Sequence, residues 1–326
     1  MQLMPYQPGF LAGYEVPLPT LPPALQREAA RNNNGTGLAI DYVHHSLLIN
    51  RKRKFAFVSA SNIDGKTWQS IPRKGVFRKD TRQLKPEYQL GDELYSAIKS
   101  SGLRPNYFEE GHLTSFQEVL WGANATERKS AADDTFYFSN CVPQHARLNA
   151  GLWRSLEQYI LKTQTIRHNL RVSVFTGPVL LARDPRYIKK INGQPLRIPC
   201  SFWKVIYYPG ARGLNAVGFM MSQTRLLQQD GTVVFKTPLL SPSVAAAETD
   251  ELFMHYKYDA VYQVRVELIQ QITRLRFMLN HVHLPYQEHV SKKILYKRIQ
   301  VRPAMAAATL PFHKKPLDYR LIRITL

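Results

Sequence analysis

Apolar and polar positions in the first part of the chain change in short runs. Leu38-Ala39-Ile40-Asp41-Tyr42 and residues 45–49 read as strands, and Arg51-Lys52-Arg53-Lys54 reads as a basic turn. Phe55-Ala56-Phe57-Val58-Ser59-Ala60 is a third strand, ended by Asn62-Ile63-Asp64-Gly65. Short apolar runs broken by turn residues predict an antiparallel start to a sheet. Residues 149–163 carry the clearest helical period, with Leu152, Leu156, Tyr159 and Ile160 on one stripe. Strands are then predicted at 172–175, 202–208 and 216–221, with turn residues at Gly177-Pro178, Asn192-Gly193 and Pro209-Gly210, and a helix at 262–275. Strands, a helix and more strands without regular alternation predict an α+β fold: a mixed or antiparallel central sheet flanked by helices.

Residues 1–36 read as a Pro-rich N-terminal arm. Six prolines fall within the first 23 residues, and Asn32-Asn33-Asn34-Gly35 breaks the chain after them. Proline favours extended backbone; a short helix at 22–31, with Thr20 as its N-cap, fits the early prolines. Residues 37–280 form the folded domain, and 281–326 a basic C-terminal extension that periodicity does not place. Both end segments are expected either to dock a partner or to pack on the core as edge coverings. The start lacks a basic stretch followed by an apolar one, and no apolar run approaches the ~20 residues of a membrane span. The expected location is therefore cytoplasmic, with no membrane partner.

Charge changes the picture more than composition does. Among 326 residues, 44 Lys+Arg oppose 24 Asp+Glu, a formal net charge of +20. Such a field draws polyanions, nucleic acid first, and says nothing about fold. Residues 70–90 contribute Arg73, Lys74, Arg78, Lys79, Arg82 and Lys85 to it. Two cysteines, Cys141 and Cys200, exclude a disulfide-built scaffold and a four-thiolate zinc site. There is no Gly-x4-Gly-Lys-Ser/Thr loop, no dinucleotide fingerprint and no HExxH. His281, His283 and His289 fit no common zinc spacing.

The stretch that bears chemistry is Glu109-Glu110-Gly111-His112, then Ser139-Asn140-Cys141-Val142-Pro143-Gln144, then residues 148–157. His112 ends a predicted strand; a second strand follows, and then a helix opened by Asn149. Glu157 lies eight residues beyond Asn149, which at about 100° per residue leaves the two about 80° apart, on one face. An imidazole, an amide oxygen and a carboxylate thus converge near a helix start, where anions are favoured. Histidine is a natural general base, and oxygen donors suit Mg²⁺ or Mn²⁺.

These residues resemble the DNA/RNA non-specific endonucleases with a ββα-metal finger. The family signature is Asp-Arg-Gly-His, Ser-Asn-x-x-Pro-Gln, then Asn-x-x-x-Trp-x-x-Leu-Glu. Gly111-His112, Ser139-Asn140, Pro143-Gln144, Asn149, Trp153, Leu156 and Glu157 match it. Residues 53–65, 174–179, 198–205 and 269–273 resemble other parts of the family core, so the likeness spans roughly 38–278. The resemblance implies a sequence-independent, metal-dependent endonuclease acting on DNA, RNA or both. It implies that His112 is the general base. Asn149 would be the direct ligand of one Mg²⁺ or Mn²⁺ ion, with Glu157 and Asn140 holding its waters or the finger itself. Arg73, Arg78, Arg82 and Arg154 are the basic side chains expected to grip phosphates. Glu109-Glu110 replaces the family Asp-Arg, and Glu110 reverses a charge expected beside the scissile phosphate. Two alternatives follow from it: a weakened or inactive nucleic-acid-binding homologue, and a subunit active only with a partner. A homodimer and a regulatory or inhibitory protein are both open on the partner side. By analogy the chain reads as a restrained effector in bacterial defence.

Overall fold

In the computed structural model, which describes residues 4–35, 37–99, 108–235, 261–288, 296–303 and 319–322, the alternating runs become strands. They are β1 (Ala39–Tyr42), β2 (His45–Asn50), β3 (Phe55–Asp64), β4 (Phe108–His112), β5 (Cys141–His145), β6 (Arg171–Pro178) and β7 (Arg186–Ile191). There follow β8 (Gln194–Arg197), β9 (Ser201–Gly210), β10 (Gly213–Ser222), β11 (Val233–Val234), β12 (Val261–Val264), β13 (Tyr296–Pro303) and β14 (Tyr319–Ile322). Nine of them make one antiparallel sheet in the order β1-β2-β3-β6-β9-β10-β12-β13-β14. β11-β7-β8 form a small second sheet, and β4 pairs with β5 as a separate ribbon. The α+β expectation holds.

β2 and β3 are buried along their whole lengths, because both faces of the sheet are covered. On one face Phe175 of β6 packs against Tyr6, 5.5 Å between ring centres, and against Phe277, which also meets Trp203 of β9. The N-terminal segment is therefore part of the core: Tyr6, Phe10, Leu11, Val16 and Leu21 are buried in it. Thr20 exchanges both backbone hydrogen bonds with Arg276, at 2.9 and 3.0 Å. That engagement is why Thr20 does not cap the helix expected at 22–31. The helix is only Pro23–Gln26 (α1), with Pro22 at its N-cap.

The other face carries a polar row. Ser59 of β3, Thr176 of β6 and Lys204 of β9 are paired across neighbouring strands. On this row sits the β4–β5 ribbon with the helical segment after it, a ββα unit. The 113–140 connection within the unit contains α2 (Ala125–Asp134), capped by the Asn124 side chain. His44, in a left-handed turn at φ 68°, stacks on Trp121 and bonds Glu127 at 2.9 Å, pinning α2 to the sheet.

The helix expected at 262–275 divides. Residues 261–264 are β12, whose backbone is taken up by β10 and β13; Arg265 is extended, and the helix is Val266–Thr273. Beyond it, a short helix at Pro285–Glu288 and strands β13 and β14 continue from the last part of the chain, the two strands extending the sheet. His281 and His283 lie in the loop before them, while His289 lies outside the described residues. Among the described residues no helix is long and apolar enough to cross a membrane.

Candidate active site

His112 closes β4 opposite Cys141. A glycine precedes it because the ribbon leaves no space there: a Cβ on Gly111 would overlap the Gln144 side chain. Gln144 is fully buried, and neither of its amide atoms has a hydrogen-bond partner among the described residues. The His112 ring is wedged between Phe77, at 5.0 Å, and the edge of Phe136, at 5.5 Å. One ring nitrogen is used by a hydrogen bond to the Glu110 backbone; Nε2 is buried and unpartnered among the described residues. Burial first, and the nearby Arg73 charge second, push the imidazole pKa down to about 3. The ring is thus neutral, with one nitrogen fixed as a donor and Nε2 left as a proton acceptor.

Asn149 sits one residue inside a wide π-helical turn, Leu148–Trp153, rather than at the cap, which is Arg147. Gly151 departs from helical backbone inside that turn, and such turns re-aim side chains. The Asn149 amide projects into a cleft of about 410 Å³, where Nδ2 donates to Glu109 Oε2 at 2.7 Å. That bond leaves the amide oxygen for another partner. An α-helical stretch, Arg154–Gln158, follows and carries Glu157 and Arg154 on the same cleft wall. Arg73, His112 and Glu118 also line it, with Ser115, Gln117 and Gln158.

Behind the cleft lies a buried ion cluster. Lys204, fully buried on β9, places Nζ 3.0 Å from Glu118 Oε1 and 3.7 Å from Glu157 Oε1. Glu157 Oε1 has no partner at ordinary hydrogen-bond distance among the described residues, and the Trp153 indole and the Lys204 ammonium are the donors nearest the carboxyl. Burial drives the Glu157 carboxyl well above the ordinary carboxylate range; Lys204 pulls it back, and Glu118 pushes it further up. A carboxylate short of positive charge is a cation seat. With Asn149 and Glu109 it forms a hard-oxygen donor set of the kind Mg²⁺ and Mn²⁺ take. Among the described residues no three His, Cys, Asp or Glu side chains gather as a metal-binding group.

The remaining sequence candidates separate. Asn140 does not line the cleft. Its Oδ1 accepts from the Thr114 N–H and the Ser59 hydroxyl, and its Nδ2 donates to the Thr114 and Thr135 carbonyls. The amide is thus fully used in holding the loop that follows His112, with nothing left for a water at the ion. Arg78 and Arg82 also lie outside the cleft lining, packed over Tyr137 at 4.1 and 5.2 Å. Arg82 is further paired with Asp80 and Asp134. Glu110 does not line the cleft; burial raises the pKa values of Tyr95 and Cys141, and the Glu110 charge adds to both. Glu118 and Lys204 were missed from the sequence. The available signal was a lysine inside the apolar run Phe202-Trp203-Lys204-Val205-Ile206.

The sequence model of the DNA/RNA non-specific endonuclease family matches residues 26–260. An uncharacterized protein of Sinorhizobium fredii is 38% identical over 229 residues, 67% of this chain and 32% of that protein. Human mitochondrial endonuclease G is 30% identical over 151 residues, 40% of this chain and 48% of its own. The chain thus spans a third to a half of the length of these relatives. A chain of the crystal structure of the EndoG/EndoGI complex superposes with a TM-score of 0.47 at 19% identity, covering 73% of this chain and 84% of that one.

Proposed function

The chain belongs to the DNA/RNA non-specific endonucleases, and from that membership we propose that it hydrolyses phosphodiester bonds within DNA or RNA strands, using one Mg²⁺ or Mn²⁺ ion. One observation carries the proposal: a single cleft holds a neutral His112 with a free Nε2 beside the oxygen donors of Asn149, Glu109 and Glu157. His112 Nε2 takes the proton from a water as it attacks phosphorus. The carbonyl of Glu110 holds the ring in the required tautomer, and Phe77 and Phe136 fix its plane. Asn149, Glu109 and Glu157 would hold the divalent ion, which when bound offsets negative charge developing on the phosphate and the leaving oxygen.

Arg73 and Arg154, which both line the cleft, grip the substrate phosphates. Arg73 thereby supplies the positive charge that the family has at the position of Glu110. Contacts to phosphate carry no base information, so cleavage is independent of sequence. A nuclease that reads no bases needs restraint inside a cell, so an inhibitory partner and a role as a defence effector belong to the same reading.

Digestion of supercoiled plasmid and single-stranded RNA with Mg²⁺, with Mn²⁺ and with EDTA tests it, alongside His112→Ala. The expected result is metal-dependent nicking that EDTA abolishes and His112→Ala lowers by about 10²–10⁴-fold. Folded protein that shifts DNA in a gel but releases no fragments with either metal would refute turnover and leave a nucleic-acid-binding homologue.

A further inference from the structure

Lys204 has more acceptors around it than it has protons to give. An ammonium carries three N–H groups. Here they meet Thr176 Oγ1 at 2.9 Å, Glu118 Oε1 at 3.0 Å and the Leu113 carbonyl at 3.5 Å. Glu157 Oε1 stands farther off, at 3.7 Å, beyond the length of an ordinary hydrogen bond. Glu118 is itself fixed: it is 1% exposed, and its second oxygen accepts from the Ser115 N–H at 3.1 Å. It stands in the loop that leaves His112, so the segment presenting the base also occupies the lysine.

We propose that Glu118 is a positioning residue for metal binding: it engages Lys204 so that Glu157 stays uncapped and turned to the divalent ion. The inference rests on the metal-dependent reading above. Without the Glu118 charge, the ammonium gains by closing on Glu157. Moving it from 3.7 Å to an ordinary ion-pair distance of about 2.8 Å, at an effective dielectric near 20, is worth about a tenfold competition against the ion. A second cation on the carboxylate then has to displace the first.

The test is Mn²⁺ binding to the full chain by isothermal titration calorimetry, with thermal melting to establish folding and cleavage rates measured across Mg²⁺ concentrations. Glu118→Gln is expected to weaken Mn²⁺ binding about tenfold and to raise the Mg²⁺ concentration giving half-maximal rate by the same factor, while the rate at saturating Mg²⁺ changes less than about twofold. Glu118→Asp keeps the charge on a shorter arm, and its Mn²⁺ affinity is expected between the two. Unchanged Mn²⁺ affinity in folded Glu118→Gln, with only a lowered melting temperature or maximal rate, overturns the proposal. If Glu118→Gln does not fold, Lys204→Met, which removes the competing ammonium, is expected to bind Mn²⁺ at least as tightly as wild type, and weaker binding in the folded variant overturns the proposal equally. A wild-type chain that binds no Mn²⁺ refutes the metal-dependent reading itself, which the calorimetry separates from failure of the Glu118 step.

Discussion

A histidine kept neutral by burial is ready to act as a base, and it is also a weak point toward acid. His45, fully buried on β2 and stacked on Tyr42, is pushed like His112 to a pKa of about 3 from 6.5. The unfolded chain takes up those protons first. The stability they contribute is therefore complete above about pH 6.5 and is lost as pH falls toward 3, on the order of 3 kcal/mol for one such group by pH 4. Asp184 works in the opposite sense. Burial raises it to about 6, so its contribution is present at low pH and is lost as pH rises through that value. His45→Phe is expected to show a smaller drop in melting temperature between pH 7 and pH 4 than the wild type, read by circular dichroism. The two arginines beside Phe136 and Tyr137 give a second contrast at this scale. Arg73→Ala, in the cleft, is expected to lower kcat/KM by ten- to a hundredfold, about 1.5–3 kcal/mol of lost phosphate contact. Arg78→Ala, outside the cleft lining, is expected to change it by less than about threefold, within the range of a surface substitution.

At the scale of elements, the ribbon and the helix after it depend on a brace that neither contains. Asn140 ties Thr114 to Ser59 and Thr135, so it sets where β4 ends and where His112 stands. Asn140→Ala leaves a buried N–H and two buried carbonyls without that partner. A loss of about 2–4 kcal/mol is expected in urea unfolding, together with reduced turnover of the folded fraction. The strands of the sheet were legible because short apolar runs alternate with turn residues, and His112, Asn149 and Glu157, singled out by their resemblance to a family signature, line one cleft. Three things were not. The wide turn at Asn149 is a change in backbone hydrogen bonding, and hydrophobic period does not encode it. The division of 262–275 into strand and helix follows from the pairing of β12 with β10 and β13. The roles of Asn140, Glu118 and Lys204 come from partners far apart in the chain, which no window of sequence brings together.

At the scale of the molecule, the excess of 44 basic over 24 acidic residues makes association steep in salt. Each phosphate contact contributes a slope of about −0.9 in log K against log salt for duplex DNA. Arg154→Ala in a His112→Ala background, which removes cleavage, is expected to make that slope shallower by about one unit in fluorescence anisotropy. The bond between Thr20 and Arg276 joins the opening of the chain to a point far along it. Contacts of such separation close late, because the intervening loop must be ordered first. During synthesis the arm leaves the ribosome long before residue 276 exists, and the part of the sheet face that Phe277 covers stays open until that residue emerges. Closure of this part of the fold is thus deferred until residues 276 and 277 have been made. A chain cut short on the ribosome before that point would leave Phe175 and Trp203 without Phe277 and expose them to quality control.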